Sequence, residues 1–245
     1  MKKHMDNRLT GKKVVVIGGT SGIGLAVSLL ASEYGALVVV ASSTQKKVDE
    51  ALSLLPETSI GFTVDLADEK QTELLFKKTG SFDHLIFTAG DKLSFKELSE
   101  LNIEEAKKSI QVRLWGAMMA VKYAVPMIRK EGSVILTTGA LGRKPRKGAA
   151  VIAAMASAVE GFTRALAVEL APVRVNAVCA GTVRTGLLDN RSYDDREEFY
   201  SRIGSKLLTG RVGNADEVAE AYLYLMRASF TTGQIVLTDG GSLLT

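Results

Sequence analysis

The stretch Val14-Val15-Val16-Ile17-Gly18-Gly19-Thr20-Ser21-Gly22-Ile23-Gly24 constrains this chain more than any other. Its β-branched run reads as a buried strand. A glycine-rich turn follows at once, and Leu25-Ala26-Val27-Ser28-Leu29-Leu30-Ala31 continues as a helix former. Strand, glycine turn and helix in that order form a cradle for phosphate groups. Gly18 permits the tight turn, Gly22 lets the backbone approach a ligand, and Gly24 lets the helix pack on the strand. Thr20, Ser21 and Ile23 belong to the same turn. The helix start then offers free N–H groups and a partial positive charge.

The same alternation runs to the end of the chain. Further strand patterns fall at 36–41, 60–64, 83–90 (a strand with its turn), 132–138, 173–178 and 234–237, and helical patterns at 68–79, 97–129, 148–170 and 214–227. This predicts the α/β class: a single doubly wound domain, with a mostly parallel seven-stranded sheet and helices on both faces. Asn214 with Glu217 three residues on reads as a capping box. Residues 9–245 are expected to form one domain, with 1–8 a loose polar tail.

A hydrophobic content of 46% supplies a sizeable core, and a formal net charge of +4 is too weak to argue for nucleic acid. No apolar run approaches a membrane span and no secretory signal is visible, so the expected location is the cytoplasm. Cys179 is the only cysteine, which excludes an intrachain disulfide, and it reads as a packed thiol. Two histidines and one cysteine, none at ligand spacing, give no metal site, and His84 reads as structural.

The spacing Gly-x-x-x-Gly-x-Gly, with Ile23 before the last glycine, is similar to that of the short-chain dehydrogenase/reductase (SDR) family. Residues 158–170, Arg174-Val175-Asn176-Ala177-Val178 and Asp239-Gly240-Gly241 resemble the family as well. The resemblance implies a Rossmann-type domain that holds a nicotinamide dinucleotide. It places Asp65, followed by Leu66, against the adenine amino group. Ala89-Gly90 stands where the family has the end of Asn-Asn-Ala-Gly, and Ala180-Gly181-Thr182-Val183-Arg184-Thr185 resembles Pro-Gly-x-Val-x-Thr. Gly181, Val183 and Thr185 then belong to the nicotinamide end.

At the ribose end, an acidic residue would favour NAD(H). Here Ser42, Ser43 and Thr44 precede Lys46 and Lys47, which favours NADP(H), with NAD(H) the alternative. Ser43 or Thr44 reads equally as a helix N-cap. The resemblance also implies a homo-oligomer, a tetramer or dimer, built on residues 149–170 and 233–244.

The family's Asn-Ser-Tyr-Lys set is missing. Matched through the central helix and its neighbours, the four positions are Arg113, Gly139, Ile152 and Ala156, and no Tyr-x-x-x-Lys occurs anywhere. Arg113 stays protonated, so it can polarise a carbonyl or hold an anion but is a poor proton donor. Thr138 keeps a hydroxyl beside Gly139, and Arg143-Lys144-Pro145-Arg146-Lys147 could collect an anion or be a solvated loop. Tyr193 and Tyr200 fall in the substrate lid, residues 186–208. The expectation is an NADP(H)-dependent oxidoreductase of non-standard mechanism acting on an unidentified small substrate, an anion being one candidate. The alternatives are a catalytically inactive dinucleotide-binding sensor or scaffold, and a non-redox enzyme using Arg113.

Overall fold

The structure is a computed structural model that describes residues 9–90, 93, 95–186 and 192–245. The expected tail at 1–8, and residues 187–191 of the expected lid, lie outside the described residues. In chain order the elements open with β1 (Lys13–Ile17), α1 (Gly22–Glu33), β2 (Leu37–Ser42), α2 (Gln45–Leu52), β3 (Ile60–Thr63), α3 (Glu69–Thr79) and β4 (Phe82–Phe87). They continue with α4 (Ile103–Ser109), α5 (Ala117–Ala124), β5 (Ile128–Gly139), α6 (Ala150–Glu169), β6 (Arg174–Ala180) and β7 (Val183–Arg184). The last are α7 (Tyr193–Gly204), β8 (Gly213–Asn214), α8 (Ala215–Arg227) and β9 (Ile235–Thr238).

The main sheet has seven strands in the order β3-β2-β1-β4-β5-β6-β9, every neighbouring pair parallel. Its central strands are apolar because both of their faces are covered. Val14 and Val16 share one core with Val27 and Ala31 of α1 and Val218 and Tyr222 of α8. Val15 and Ile17 share the other with Phe76 of α3, Val121 of α5 and Val159 of α6. The period-two alternation of a strand thus feeds two layers from one run of valines.

Helix ends are set locally. The Asp68 carboxylate accepts from the N–H groups of Lys70 and Gln71 at the start of α3, and Asn214 with Glu217 forms the expected capping box on α8. The buried Arg174 donates to the carbonyls of Leu225 and Met226, so a cation closes the C-terminus of α8.

Three stretches differ from the sequence expectation. Residues 97–129 are not one or two regular helices: α4 is followed by a π-helical turn, Gln111–Gly116, and only then by α5. β5 starts four residues earlier than expected, because its register with β4 shifts between Phe82 and His84 and hides the strand period. Gly132 sits in that irregularity, where a Cβ would lie 2.1 Å from the Asp83 carbonyl oxygen. α6 is 20 residues long with mean hydropathy 1.5, enough by length and composition to cross a membrane, contrary to the expectation that no run came close. One face of it, with Ile152, Met155, Val159 and Leu166, is buried in the core.

A polar knot ties the opposite, N-terminal ends of the strands. Asp83 accepts from Lys12 Nζ at 3.0 Å, Lys13 N at 2.9 Å and Arg129 Nη1 at 2.5 Å. Burial pushes its carboxyl up, but these donors outweigh burial and hold it below the usual carboxylate range. Next to it, His84 Nδ1 meets Ser133 Oγ at 2.9 Å. Burial lowers His84 from 6.5 to about 4, so the ring is neutral at pH 7, as a structural role requires. Below pH 6.5 the unfolded chain binds a proton that the folded chain refuses until about pH 4, so stability falls as pH drops through that window. Urea unfolding at pH 7, 5.5 and 4.5 is expected to show this loss, and His84→Gln, which keeps a polar partner for Ser133, is expected to flatten it.

Candidate active site

β1 neighbours β2 on one side and β4 on the other, so the crossovers leave it in opposite directions. A crevice opens at the carboxyl ends of the strands at such a switch point. The glycine turn lines it, and space there is tight. A Cβ on Gly18 would lie 2.5 Å from the Ala89 nitrogen. One on Gly24 would lie 2.1 Å from the Gly18 carbonyl oxygen and 2.4 Å from Thr88 Oγ1. Gly22, at φ +51, faces Thr185, whose Cβ and Cγ2 are 3.2 Å from where a Cβ would stand. The turn therefore joins the end of β4 on one side and the segment after β7 on the other.

The N-cap of α1, Ser21, makes no side-chain cap bond, so its hydroxyl does not cover the first-turn N–H groups. Thr20 is buried and Ser21 exposed, while Ile23 packs into the α1 core. An uncovered helix start beside glycines that admit no side chain fits a pyrophosphate.

Away from this turn, Ser42 ends β2 beside Thr63. Ser43 and Thr44 are exposed, and although Thr44 occupies the N-cap position of α2, it makes no side-chain cap bond. The cap does not consume these hydroxyls. Asp65 is exposed and gives one carboxylate oxygen to the Ala67 N–H, while Leu66 is buried. At the far end, Gly181 donates to the Thr238 carbonyl, and a Cβ on it would lie 2.7 Å from Asp239 Cα. Val183 and Thr185 follow directly.

The four positions of the missing set are now placed. Arg113 sits on the π-helical turn, half-buried, with its guanidinium against Gly90: a Cβ there would lie 2.3 Å from Arg113 Cζ. Insertions of this kind into a helix re-aim side chains and recur at functional sites. Gly139 borders open space, its nearest neighbour being the Ala180 carbonyl oxygen at 3.9 Å from a Cβ position. Ile152 and Ala156 are buried, and a Cβ on Gly142 would stand 3.0 Å from the Ala156 Cβ.

One expectation needs correction. The Thr138 hydroxyl donates to the Ala156 carbonyl at 3.0 Å and is buried. Alternation along β5 turns it toward α6, so it staples strand to helix and does not face a substrate. The basic segment 143–147 is neither a bare cluster nor a freely solvated loop, because each of its cations rests on a partner. Arg143 pairs with Glu160 at 2.8 and 3.2 Å, and Lys144 Nζ donates to the Ser242 carbonyl at 3.1 Å. Arg146 lies 4.5 Å from the centre of the Phe95 ring, and Lys147 pairs with Glu97 at 2.7 Å.

Of the lid tyrosines, Tyr193 is exposed and Tyr200 is buried under Arg184, its hydroxyl 3.4 Å from the Thr185 carbonyl. Arg184 also grips Glu197 on α7. Opposite charges at 184 and 197, like those at 97 and 147, are the sign of such pairing that the sequence carries. Cys179 is a packed thiol, pushed up to about 11 by burial. Among the described residues, no group of histidine, cysteine or carboxylate side chains could hold a metal.

A crevice of this kind at the ends of a parallel sheet defines a dinucleotide-binding protein of the Rossmann class. The model of the SDR-like Rossmann domain matches residues 5–245, and the chain belongs to the SDR family of oxidoreductases. It is similar to the short-chain dehydrogenase/reductase ATR9 of Stachybotrys chlorohalonatus, 39% identical over 96% of this chain and 98% of that one. Among solved structures it resembles a small-chain dehydrogenase in complex with NADPH: 35% identity, TM-score 0.84, 96% of this chain and 99% of that one. It also resembles the MalC reductase/Diels-Alderase of Malbranchea aurantiaca, with 33% identity, TM-score 0.90, and 98% and 99% covered.

Gly24→Ala tests the cradle. The added methyl meets backbone, which cannot swing aside, so the variant is expected to lose about 1–3 kcal/mol of stability and to bind dinucleotide more weakly. Dinucleotide titration and thermal denaturation of the variant measure both consequences, and dinucleotide affinity like that of the unaltered chain would refute the placement.

Proposed function

We propose that this chain is an NADP(H)-dependent oxidoreductase that works without the family's Asn-Ser-Tyr-Lys set, with Arg113 as the charged group on the substrate side. The observation that carries the reading is the guanidinium of Arg113 lying against Gly90, at the end of the strand whose Thr88 and Ala89 pack on the glycine turn. The NADPH bound by one structural neighbour and the reductase name of another support it.

Gly18, Gly22, Gly24 and the start of α1 would hold the pyrophosphate, Ser42 and Ser43 the ribose end, Asp65 the adenine, and Gly181, Val183 and Thr185 the nicotinamide end. Bound there, a nicotinamide dinucleotide supplies a hydride. Arg113 holds an electron-rich atom of the acceptor and, being always charged, delivers no proton. With Ile152 and Gly139 in place of a phenol and a hydroxyl, the favoured acceptors need no proton from a side chain. An iminium needs none on oxygen, and an enone or quinone takes one from water.

The burial of Ile152 and Ala156 favours a second reading, a dinucleotide sensor. A homo-oligomer in the cytoplasm completes the proposal; Val168 and Leu244 stand largely exposed on the two segments read as subunit interfaces, which supports the oligomer.

Fluorescence titration with NADPH and NADH tests the reading. NADPH is expected to bind more tightly, and Ser42→Asp to weaken it at least about tenfold by setting a carboxylate against the 2′-phosphate. In a screen of imines, enones and quinones, Arg113→Ala is expected to lower turnover about 100-fold while leaving NADPH affinity intact. Failure of both dinucleotides to bind would overturn the reductase and the sensor together, and binding without turnover of any acceptor would favour the sensor.

A further inference from the structure

Residues 88–90 and 95–102 belong to the connection after β4, and residues 140–149 to the connection after β5. These two connections start on either side of the candidate active site, at Gly90 and Gly139, and the second leads directly into Ile152. They do not run independently. Lys147 Nζ meets Glu97 at 2.7 Å, and the Arg146 guanidinium covers the Phe95 ring at 4.5 Å. Between these two bridges, Gly148, at φ +78, brings its backbone against that of Lys96; a Cβ on it would lie 3.7 Å from the Lys96 carbonyl carbon. Lys96 in turn reaches Glu105 on α4 at 2.7 Å.

The other half of the basic segment is anchored differently. Arg143 makes its two bonds to Glu160, which is buried on α6, and that attachment is firm. Phe95, Glu97 and Lys147 are all substantially exposed. A bridge between exposed charges is weak, salt-sensitive and reversible, and the cation–ring contact at an exposed site is likewise modest. One end of the segment is thus fixed to α6, and the other is fastened to the β4–α4 connection by contacts that can let go.

We propose that Phe95–Arg146 and Glu97–Lys147 form a reversible clasp that joins the two rim connections and sets the substrate-side wall of the cleft. Phe95, Glu97, Arg146 and Lys147 are positioning residues: they govern substrate capture, while the dinucleotide cradle on the other side of β4 is untouched. The substrate-capture part of this proposal rests on the oxidoreductase reading; the clasp itself does not.

The experiment uses the full chain with Glu97→Lys, Lys147→Glu and the double charge exchange. The first readout is backbone hydrogen exchange at 95–98 and 143–149, with and without NADPH and at low and high salt. Each single reversal is expected to speed exchange in both connections about fivefold, and the double exchange to restore protection. High salt is expected to mimic the single reversals in the unaltered chain.

The second readout is steady-state kinetics with whichever acceptor the screen identifies. KM is expected to rise about fivefold in each single reversal, with kcat and NADPH affinity within about twofold, and to recover in the double exchange. Loosening confined to the connection that carries the substitution, or failure of the double exchange to restore protection, overturns the clasp. An unchanged KM alongside coupled loosening overturns its role in substrate capture. Absence of dinucleotide binding overturns the oxidoreductase reading instead, and leaves the exchange experiment to decide the clasp.

Discussion

The structure depends on a close approach of backbones. Between the end of β1 and the start of α1, Gly18 and Gly24 stand so near each other and so near Thr88 and Ala89 that no side chain fits at either glycine. Thr88 Oγ1 donates to the Ile17 carbonyl, and the N–H groups of Thr88 and Ala89 reach the same oxygen. The carboxyl ends of the two central strands are thereby drawn together under the start of α1. Everything attributed to the cradle follows from that contact, and so does the placement of Gly90, the next residue along, beneath Arg113.

The two halves of the site are built differently. On the dinucleotide side, backbone groups and small residues line the cleft, and their positions are fixed by the sheet. Around the rest of the cleft, long side chains make the contacts: Arg113 on a π-helical turn, Arg143 tied to Glu160, and Arg184 gripping Glu197 and covering Tyr200. A family that keeps the first half and changes the second can take up new acceptors without altering how it holds its cofactor.

This division also decides how much could be read from the chain alone. Strands such as Val14–Ile17 announce themselves because both faces are buried, and α8 because Asn214 and Glu217 cap it locally. The fold and the glycine cradle were legible for that reason. The π-helical turn was not, since an extra residue in a helix leaves the residue types unchanged and only shifts the period. The early start of β5 was hidden by an irregularity that depends on β4. The hydroxyl of Thr138 lies one residue from the expected serine position, yet a single step along a strand reverses its face. The pairing of the basic segment was hidden because its partners, Glu97, Glu160 and Ser242, lie far from it in sequence.

The packing of Gly142 on Ala156 bears on how readily the chain could be altered. Thr138 and Ser157 add two more bonds across the same seam, to the Ala156 and Gly142 carbonyls. A lysine introduced at 156 would start from a buried site pressed against Gly142, and a tyrosine at 152 would overfill a closed core. Each half of a Tyr-Lys pair, introduced alone, would strain this seam. Rebuilding that pair on this chain would therefore pass through single variants less stable than the starting protein, so the seam itself resists a change of chemistry at these two positions.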